Sequence, residues 1–322
     1  MTRVGAIDCG TNSIRLLIAD VVDTAGADGA LALRDVVRRT EVVRLGYGVD
    51  RTGVIDPVAM ERTLVQTREY AAQCREHSTE RVRFVATSAS RDASNAAEFV
   101  AGVESAFAAT GFDVSPEVVS GDAEANLSFT GATGDLVAAD VPGPYLVIDL
   151  GGGSTEFVRG TGHVESARSV DIGCVRISER HLTSDPPSDE QIAAATADIT
   201  AAIDRAEEVV DLSGIATVVG LAGSITTITA HALGLTAYAP DLIHLAHLTP
   251  EAHRESAQSL LHATTEERAE LGYMHPGRVD VIGAGALVWH EILGRVLERS
   301  PRAQVVTSEH DILDGIALSC AG

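Results

Sequence analysis

The sequence predicts an α/β fold built twice over. Three observations carry this. Strand-like and helix-like patterns alternate along the 322 residues. A strand that ends in aspartate and runs into a glycine turn occurs at Val4 to Asp8 and again at Tyr145 to Asp149. The aspartates, Asp8 and Asp149, lie 141 residues apart in settings of matching polarity, as a duplicated unit requires.

In chain order, Val4 to Asp8 and Leu16 to Ala19 are expected as strands flanking a turn. Leu31 to Val37 and Val42 to Leu45 extend them as a meander. Asp56-Pro57 is a helix start, aspartate as cap and proline in the first turn, for a helix running to about His77. A buried strand over Arg83 to Ala86 and a helix from about Asp92 to Ala109 follow. In SGDAEANLSF, Ser120 and Asp122 are candidate caps, and Ala123 and Leu127 share a helical face. The Gly/Asp/Pro-rich stretch from Gly131 to Pro144 marks the expected domain boundary. Beyond it come strands at Tyr145 to Asp149, Thr155 to Val158 and Thr217 to Leu221. Alanine-rich helices are expected near Ser188 to Val210 and Gly277 to Leu297.

Composition narrows the chemistry. No apolar run approaches the ~18 residues of a membrane span, and the N-terminus has no signal-like segment, so a soluble cytoplasmic protein is expected. The four cysteines, Cys9, Cys74, Cys174 and Cys320, form no CxxC pair, and small residues in a reducing compartment are the reading. A net charge of −22 argues against nucleic-acid binding. It also repels any polyanion at long range. A site for one must be built from arginine, backbone N–H groups and metal. There is no lysine, which excludes a Walker-type lysine and Schiff-base chemistry.

Five segments carry chemistry. In IDCGTNS, Asp8 precedes Gly10, Thr11, Asn12 and Ser13, whose N–H and side-chain donors suit an anion; a polar hairpin fits this segment equally well. In VIDLGGGSTE, Asp149 and Glu156 flank Gly151, Gly152, Gly153, Ser154 and Thr155. Two acids among close-approach glycines suit Mg2+ and phosphate, since Mg2+ commonly takes one or two carboxylates plus phosphate oxygens. TSASRDASNA places Arg91 near a helix start, an anion-binding geometry that a solvated surface arginine would share. Glu124, in SGDAEANLSF, stands at a helix start, where a carboxylate can act on water. In GLAGSITTIT, a strand turns at Gly223-Ser224 into a helix, which suits an anion or tight packing. Outside these, His244 and His247 have no third ligand nearby in sequence, His310 is a loop histidine, and Trp289 is expected in the core.

In this order, DCGTNSIRL, SGDAEANLSF, VIDLGGGSTEFV and DIGCVRI resemble the exopolyphosphatase and guanosine pentaphosphate phosphohydrolase family over nearly the whole chain. GLAGSITTI and HPGRVDVIGAG add support. The resemblance implies two actin-like (ribonuclease H-like) ATPase domains flanking a central cleft. They are expected at 1–132, with 308–322 crossing back, and at 133–307. It further implies Glu124 as the catalytic glutamate and Asp8, Asp149 and Glu156 as metal acids. Thr11, Asn12, Ser13, Arg91, Gly151 to Thr155, Cys174, Gly223 and Ser224 are implied as phosphate contacts. Mg2+, with Mn2+ as a possible substitute, and a homodimer follow by analogy. Two features depart from many relatives: Leu313 stands where they carry an arginine, and the helical extension of longer relatives is absent before Gly322. Both point to short polyphosphate chains. The expected activity is hydrolysis of the terminal phosphoanhydride of polyphosphate, with water activated by Glu124. Alternatives are 5'-phosphate removal from guanosine pentaphosphate, an actin-like small-molecule kinase, and a non-catalytic polyphosphate or alarmone sensor. Aromatic residues at 4% offer no obvious purine pocket.

Overall fold

Apolar residues on both faces of consecutive strands build the first sheet. Its strands are β1 (Thr2–Cys9), β2 (Ser13–Asp23) and β3 (Leu31–Val42). After α1 (Val49–Thr52) and α2 (Pro57–Glu76) come β4 (Arg81–Ala86), α3 (Ser88–Asp92), α4 (Ala96–Ala108), β5 (Glu117–Val118) and α5 (Gly121–Ala138). The computed structural model describes residues 2–23 and 31–320; the outer ends of the expected domain spans, Met1 and Gly322, lie outside these. The chain divides into two units, Met1–Gly131 with Ile312–Gly322, and Ala132–Asp311.

In the first unit the strand order is β3-β2-β1-β4-β5, with β1/β2 and β2/β3 antiparallel and β1/β4 and β4/β5 parallel. Ile7, Cys9, Ile14, Leu16 and Ile18 pack one face against a core that holds Tyr70, Phe99 and Phe107. Val4, Ala6, Leu17, Ala19 and Val21 line the other face, where Ala123 and Leu127 of α5 pack. A strand's period of two places Asp8 and Arg15 on this second face.

The second unit contains β6 (Tyr145–Leu150), β7 (Thr155–Gly160), β8 (Val164–Val170), α6 (Cys174–His181), α7 (Asp189–Glu207), β9 (Thr217–Leu221), α8 (Ala222–Ala232) and α9 (Pro240–Ile243). It continues with β10 (Ala246–Leu248), α10 (Pro250–His262), α11 (Thr265–Ala269), α12 (Ile282–Arg299) and β11 (Gln304–Thr307). The chain then returns to the first unit as α13 (Ile312–Ser319). The second sheet runs β10-β11-β9-β6-β7-β8. Leaving aside β10, both sheets read third-second-first-fourth-fifth in chain order, so the duplicated ribonuclease H-like topology is realised. Trp289 is fully buried, as expected.

Three local expectations change. Leu31 to Val42 is one continuous strand rather than two. The helix expected from Asp92 starts instead at Ala96, after a short helix that ends at Asp92; its N-cap residue Asn95 is held by side-chain bonds to the backbone N–H and C=O of Ile55 at 2.9 and 3.0 Å. The glycine-rich stretch after Gly131 is helical as far as Ala138. Glycine in a helix costs about 1 kcal/mol relative to alanine. Burial of Phe129, Ala132 and Leu136 outweighs that for Gly131 and Gly134.

Candidate active site

Each unit carries one glycine hairpin, and the two hairpins share a construction. Gly10 N–H donates to the Ser13 carbonyl at 2.9 Å, and Gly151 N–H donates to the Ser154 carbonyl at 3.0 Å. In the first hairpin the Thr11 carbonyl accepts from Gly46 N–H at 2.9 Å, and the Asn12 carbonyl accepts from Val43 and Arg44 at 3.0 and 2.8 Å. In the second, the Gly151 carbonyl accepts from Cys174 N–H at 3.0 Å, and the Gly152 carbonyl accepts from Val175 and Arg176 at 2.9 and 3.1 Å. The Gly153 carbonyl accepts from the Arg176 Nε at 2.7 Å. A trans peptide turns the following N–H away from its carbonyl. Capturing these carbonyls therefore aims the amides of Asn12 and Ser13, and of Gly152, Gly153 and Ser154, away from their captors. Turn amides pointing the same way can donate to an anion.

Gly173 permits the capture. A Cβ there would overlap the backbone of Gly152 and Gly153. Cys174 follows it, and burial raises its thiol above the usual range, with a Ser224 hydrogen bond acting in the opposite direction. It is a neutral, small turn residue, not a thiolate. Ser224 and Gly223 open α8, whose N-cap Leu221 offers no side-chain hydrogen bond to the first turn. Its first residue, Ala222, holds a φ of 68°, so the entry to this helix is strained. Arg278 bonds the Gly223 carbonyl at 3.2 Å and Thr227 Oγ1 at 3.3 Å. The absence of a side chain at Gly223 leaves room for that guanidinium, which a Cβ would displace. In the second unit Cys174 thus links the two parts, through its amide to Gly151 and through its thiol to Ser224, beside which Gly223 is held by Arg278.

The acids differ between the hairpins. Asp8 pairs in register with Arg15, which donates to its Oδ2 from Nε and Nη2 at 2.9 and 2.7 Å. Asp149 pairs in register with Glu156, so two buried acids project from one face of the second hairpin. Glu156 accepts from Ser169 Oγ at 2.7 Å. Two buried carboxylates side by side require compensation. All-oxygen donors of this kind fit Mg2+, which takes one or two carboxylates and keeps water or phosphate as its other ligands. Asp8 lies in a salt bridge with Arg15.

In the first unit, Thr11 Oγ1 and Ser88 Oγ share a hydrogen bond of 2.8 Å, which joins the first hairpin to the TSASR segment. Three residues on, Arg91 Nη1 contacts the Val119 carbonyl and Glu124 Oε2, both at 3.1 Å. Glu124 is only 7% exposed, at the start of α5, where Ser120 Oγ accepts from Ala123 N–H at 3.3 Å. The structure therefore ties the expected phosphate arginine to the expected catalytic glutamate. Asn12 Oδ1 is buried without a hydrogen-bond partner among the described residues, so its amide has capacity for a further group.

Sequence reasoning missed Arg15, Ser88, Ser169 and Arg278. Arg15 and Arg278 lie inside DCGTNSIRL and HPGRVDVIGAG, and hairpin counting alone places Arg15 opposite Asp8. The reading of the histidines also changes. His244 does gain company, from His310 and Asp135, whereas His247 lies in β10 and joins no such group among the described residues. Leu313 is buried in the first core among Val4, Ala6 and Ile316.

The Ppx/GppA phosphatase family matches residues 18–320. The chain belongs to that family. It is 48% identical over 323 residues to exopolyphosphatase 2 of Mycobacterium tuberculosis, covering 100% of this chain and 99% of that protein. The solved structure of an exopolyphosphatase-like protein superposes with a TM-score of 0.91 at 44% identity, covering 99% of this chain and 97% of the other. A Ppx/Gppa enzyme of Aquifex aeolicus matches with a TM-score of 0.76 at 29% identity, covering 99% of each chain. The family is one of phosphatases. No helix among the described residues is long and apolar enough to cross a membrane.

Proposed function

We propose that this chain hydrolyses the terminal phosphoanhydride of inorganic polyphosphate, releasing orthophosphate and a chain one phosphate shorter. The observation that carries the reading is Glu124, a buried carboxylate fixed by Arg91 at a helix start. A base so placed can accept a proton from water as the water oxygen bonds to the terminal phosphorus and the bridging P–O bond breaks. The electron pair of that bond leaves on the shortened chain. The amides of Asn12, Ser13, Gly152, Gly153 and Ser154 bind phosphate oxygens, with Thr11, Thr155, Cys174, Gly223 and Ser224 shaping the loops around them. Phosphoryl transfer depends mainly on positioning and charge stabilisation, which rigid amides supply. Asp149 and Glu156 would hold Mg2+, with Mn2+ able to replace it; when bound, the ion neutralises phosphate charge. Asp8, through Arg15, fixes the first hairpin.

Polyphosphate is favoured over a nucleotide because residues able to stack on a purine are few, aromatics making up only 4% of the chain. Exopolyphosphatase 2 of M. tuberculosis, named for the same activity, supports this assignment. The test is phosphate release from polyphosphates of graded length, with guanosine pentaphosphate and ATP in parallel, by wild type and Glu124→Gln. Loss of the base is expected to slow release by ~10²–10⁴-fold. Equal rates for the two proteins would refute the role, and faster release from guanosine pentaphosphate would transfer the assignment to that substrate.

A further inference from the structure

Three side chains far apart in sequence converge in the second unit, and neither glycine hairpin uses them. Asp135 lies in the last turn of α5, His244 directly follows α9, and His310 lies between β11 and α13. The register of β10 and β11 explains the meeting. Ala246 pairs with Thr307 in an antiparallel ladder, so His244 and Glu309 stand opposite each other just beyond its end. The Leu245 amide bonds the Thr307 carbonyl at 2.8 Å, and Leu245 adopts a φ of 57° to make the turn. His310 is set by Ser308, whose Oγ accepts from the His310 amide at 3.0 Å and donates to the His310 carbonyl at 2.8 Å.

The result is a compact donor set. His310 Nδ1 lies 2.5 Å and His244 Nε2 lies 3.5 Å from Asp135 Oδ2. The two imidazole rings are 4.5 Å apart between centroids. All three candidate ligand atoms fall within 4.8 Å of one another. The side chains keep 23–41% of their exposure, so a solvated ion can reach them. The neighbouring histidines hold the Asp135 carboxyl below its usual range, chiefly through the His310 hydrogen bond, so it is an anion at neutral pH.

We propose that Asp135, His244 and His310 bind one borderline transition-metal dication, of the Zn2+ or Co2+ class. Two imidazoles and one carboxylate suit such ions far better than Mg2+, which prefers oxygen. Binding replaces the proton between His310 and Asp135, and metal–ligand distances of about 2.0–2.2 Å require those atoms to part by under ~1 Å. It also leaves His244 protonated at Nδ1, so the 3.3 Å contact from the Glu309 amide opens on loading. The site closes a loop of chain between residues 135 and 310, the segments by which the chain enters and leaves the second unit.

Full-length protein stripped with chelator is to be titrated with Zn2+ in excess Mg2+ by calorimetry. X-ray absorption is then recorded on the loaded wild type. One ion per chain is expected, with a shell containing two imidazoles and no sulfur. His244→Ala and His310→Ala should each weaken binding by at least ~10–100-fold, the range lost even when only an outer partner of a ligand is removed. Absence of Zn2+ binding, a sulfur shell from the cysteines, or undiminished affinity in folded variants would overturn the site. Should the variants fail to fold by circular dichroism, the wild-type ligand shell decides alone.

Discussion

At the scale of single residues, Arg91 illustrates how geometry revises a role. A direct contact with substrate phosphate and a contact that orients Glu124 make different kinetic demands. The 3.1 Å bonds to Glu124 and to the Val119 carbonyl favour orientation. Arg91→Ala is therefore expected to lower kcat by about 10²-fold, the scale of a misplacement near 1 Å, with KM changed little. Arg91→Lys should recover only part of the loss, because an ammonium lacks the planar fork that reaches two acceptors. Steady-state kinetics on a single polyphosphate length separates the cases: a KM effect with kcat intact would return Arg91 to phosphate binding. The duplicated position opposite the hairpin aspartate carries a second lesson. Arg15 in one unit and Glu156 in the other turn the same scaffold into a neutral clamp and an acidic pair.

At the scale of elements, the second hairpin depends on α6 for its shape. Gly173→Ala would drive a methyl group into the Gly152 backbone. The expected outcome is a loss of about 1–3 kcal/mol in stability, typical of overpacking, with a rise in KM for polyphosphate. Urea unfolding and kinetics check both; unchanged KM with normal stability would show that the turn is not held as described. Much of this level was legible in sequence. Asp56-Pro57 marked the start of α2, and Thr217 to Leu221 is a strand to the residue. Both glycine hairpins stood out because glycines between strands need a reason. What escaped depended on distant partners. The late start of α4 sets Asn95 on its distant partner Ile55, and α5 extends through its glycines because its apolar side is buried. Apart from the Arg176 side chain, the captors of the loop carbonyls, Val43, Arg44, Gly46 and Cys174 to Arg176, donate through backbone atoms, which leave no side-chain signature. The meeting of Asp135 with His310 spans 175 residues and depends on strand register, so no local pattern announces it.

Over the whole molecule, charge and acid response follow from composition and burial. All 24 fixed cationic side chains are arginines against 46 acids, so phosphate must be held by local donors against an unfavourable long-range field. Acid sensitivity has an identifiable source. His253 is fully buried against Trp289, whose Nε1 donates to its Nδ1 at 3.3 Å, and burial pushes its pKa down to about 4. The unfolded chain binds this proton near pH 6.5 and the folded chain only near 4. Its contribution to stability is therefore complete above about pH 6.5 and is lost as pH falls toward 4. His253→Gln should flatten the stability profile in that window, measured by urea unfolding at stepped pH. A slope identical to wild type would assign the acid response elsewhere.

The captured carbonyls of the two hairpins sort the surrounding amides into two isotopic classes. The amides of Gly46, Val43, Arg44, Cys174, Val175 and Arg176 spend their hydrogens on the loop itself and should exchange slowly with deuterium whether or not substrate is present. Those of Asn12, Ser13, Gly152, Gly153 and Ser154 face the other way, and they should slow only when phosphate arrives. Hydrogen–deuterium exchange would thus read occupancy of each hairpin separately, in solution and without turnover.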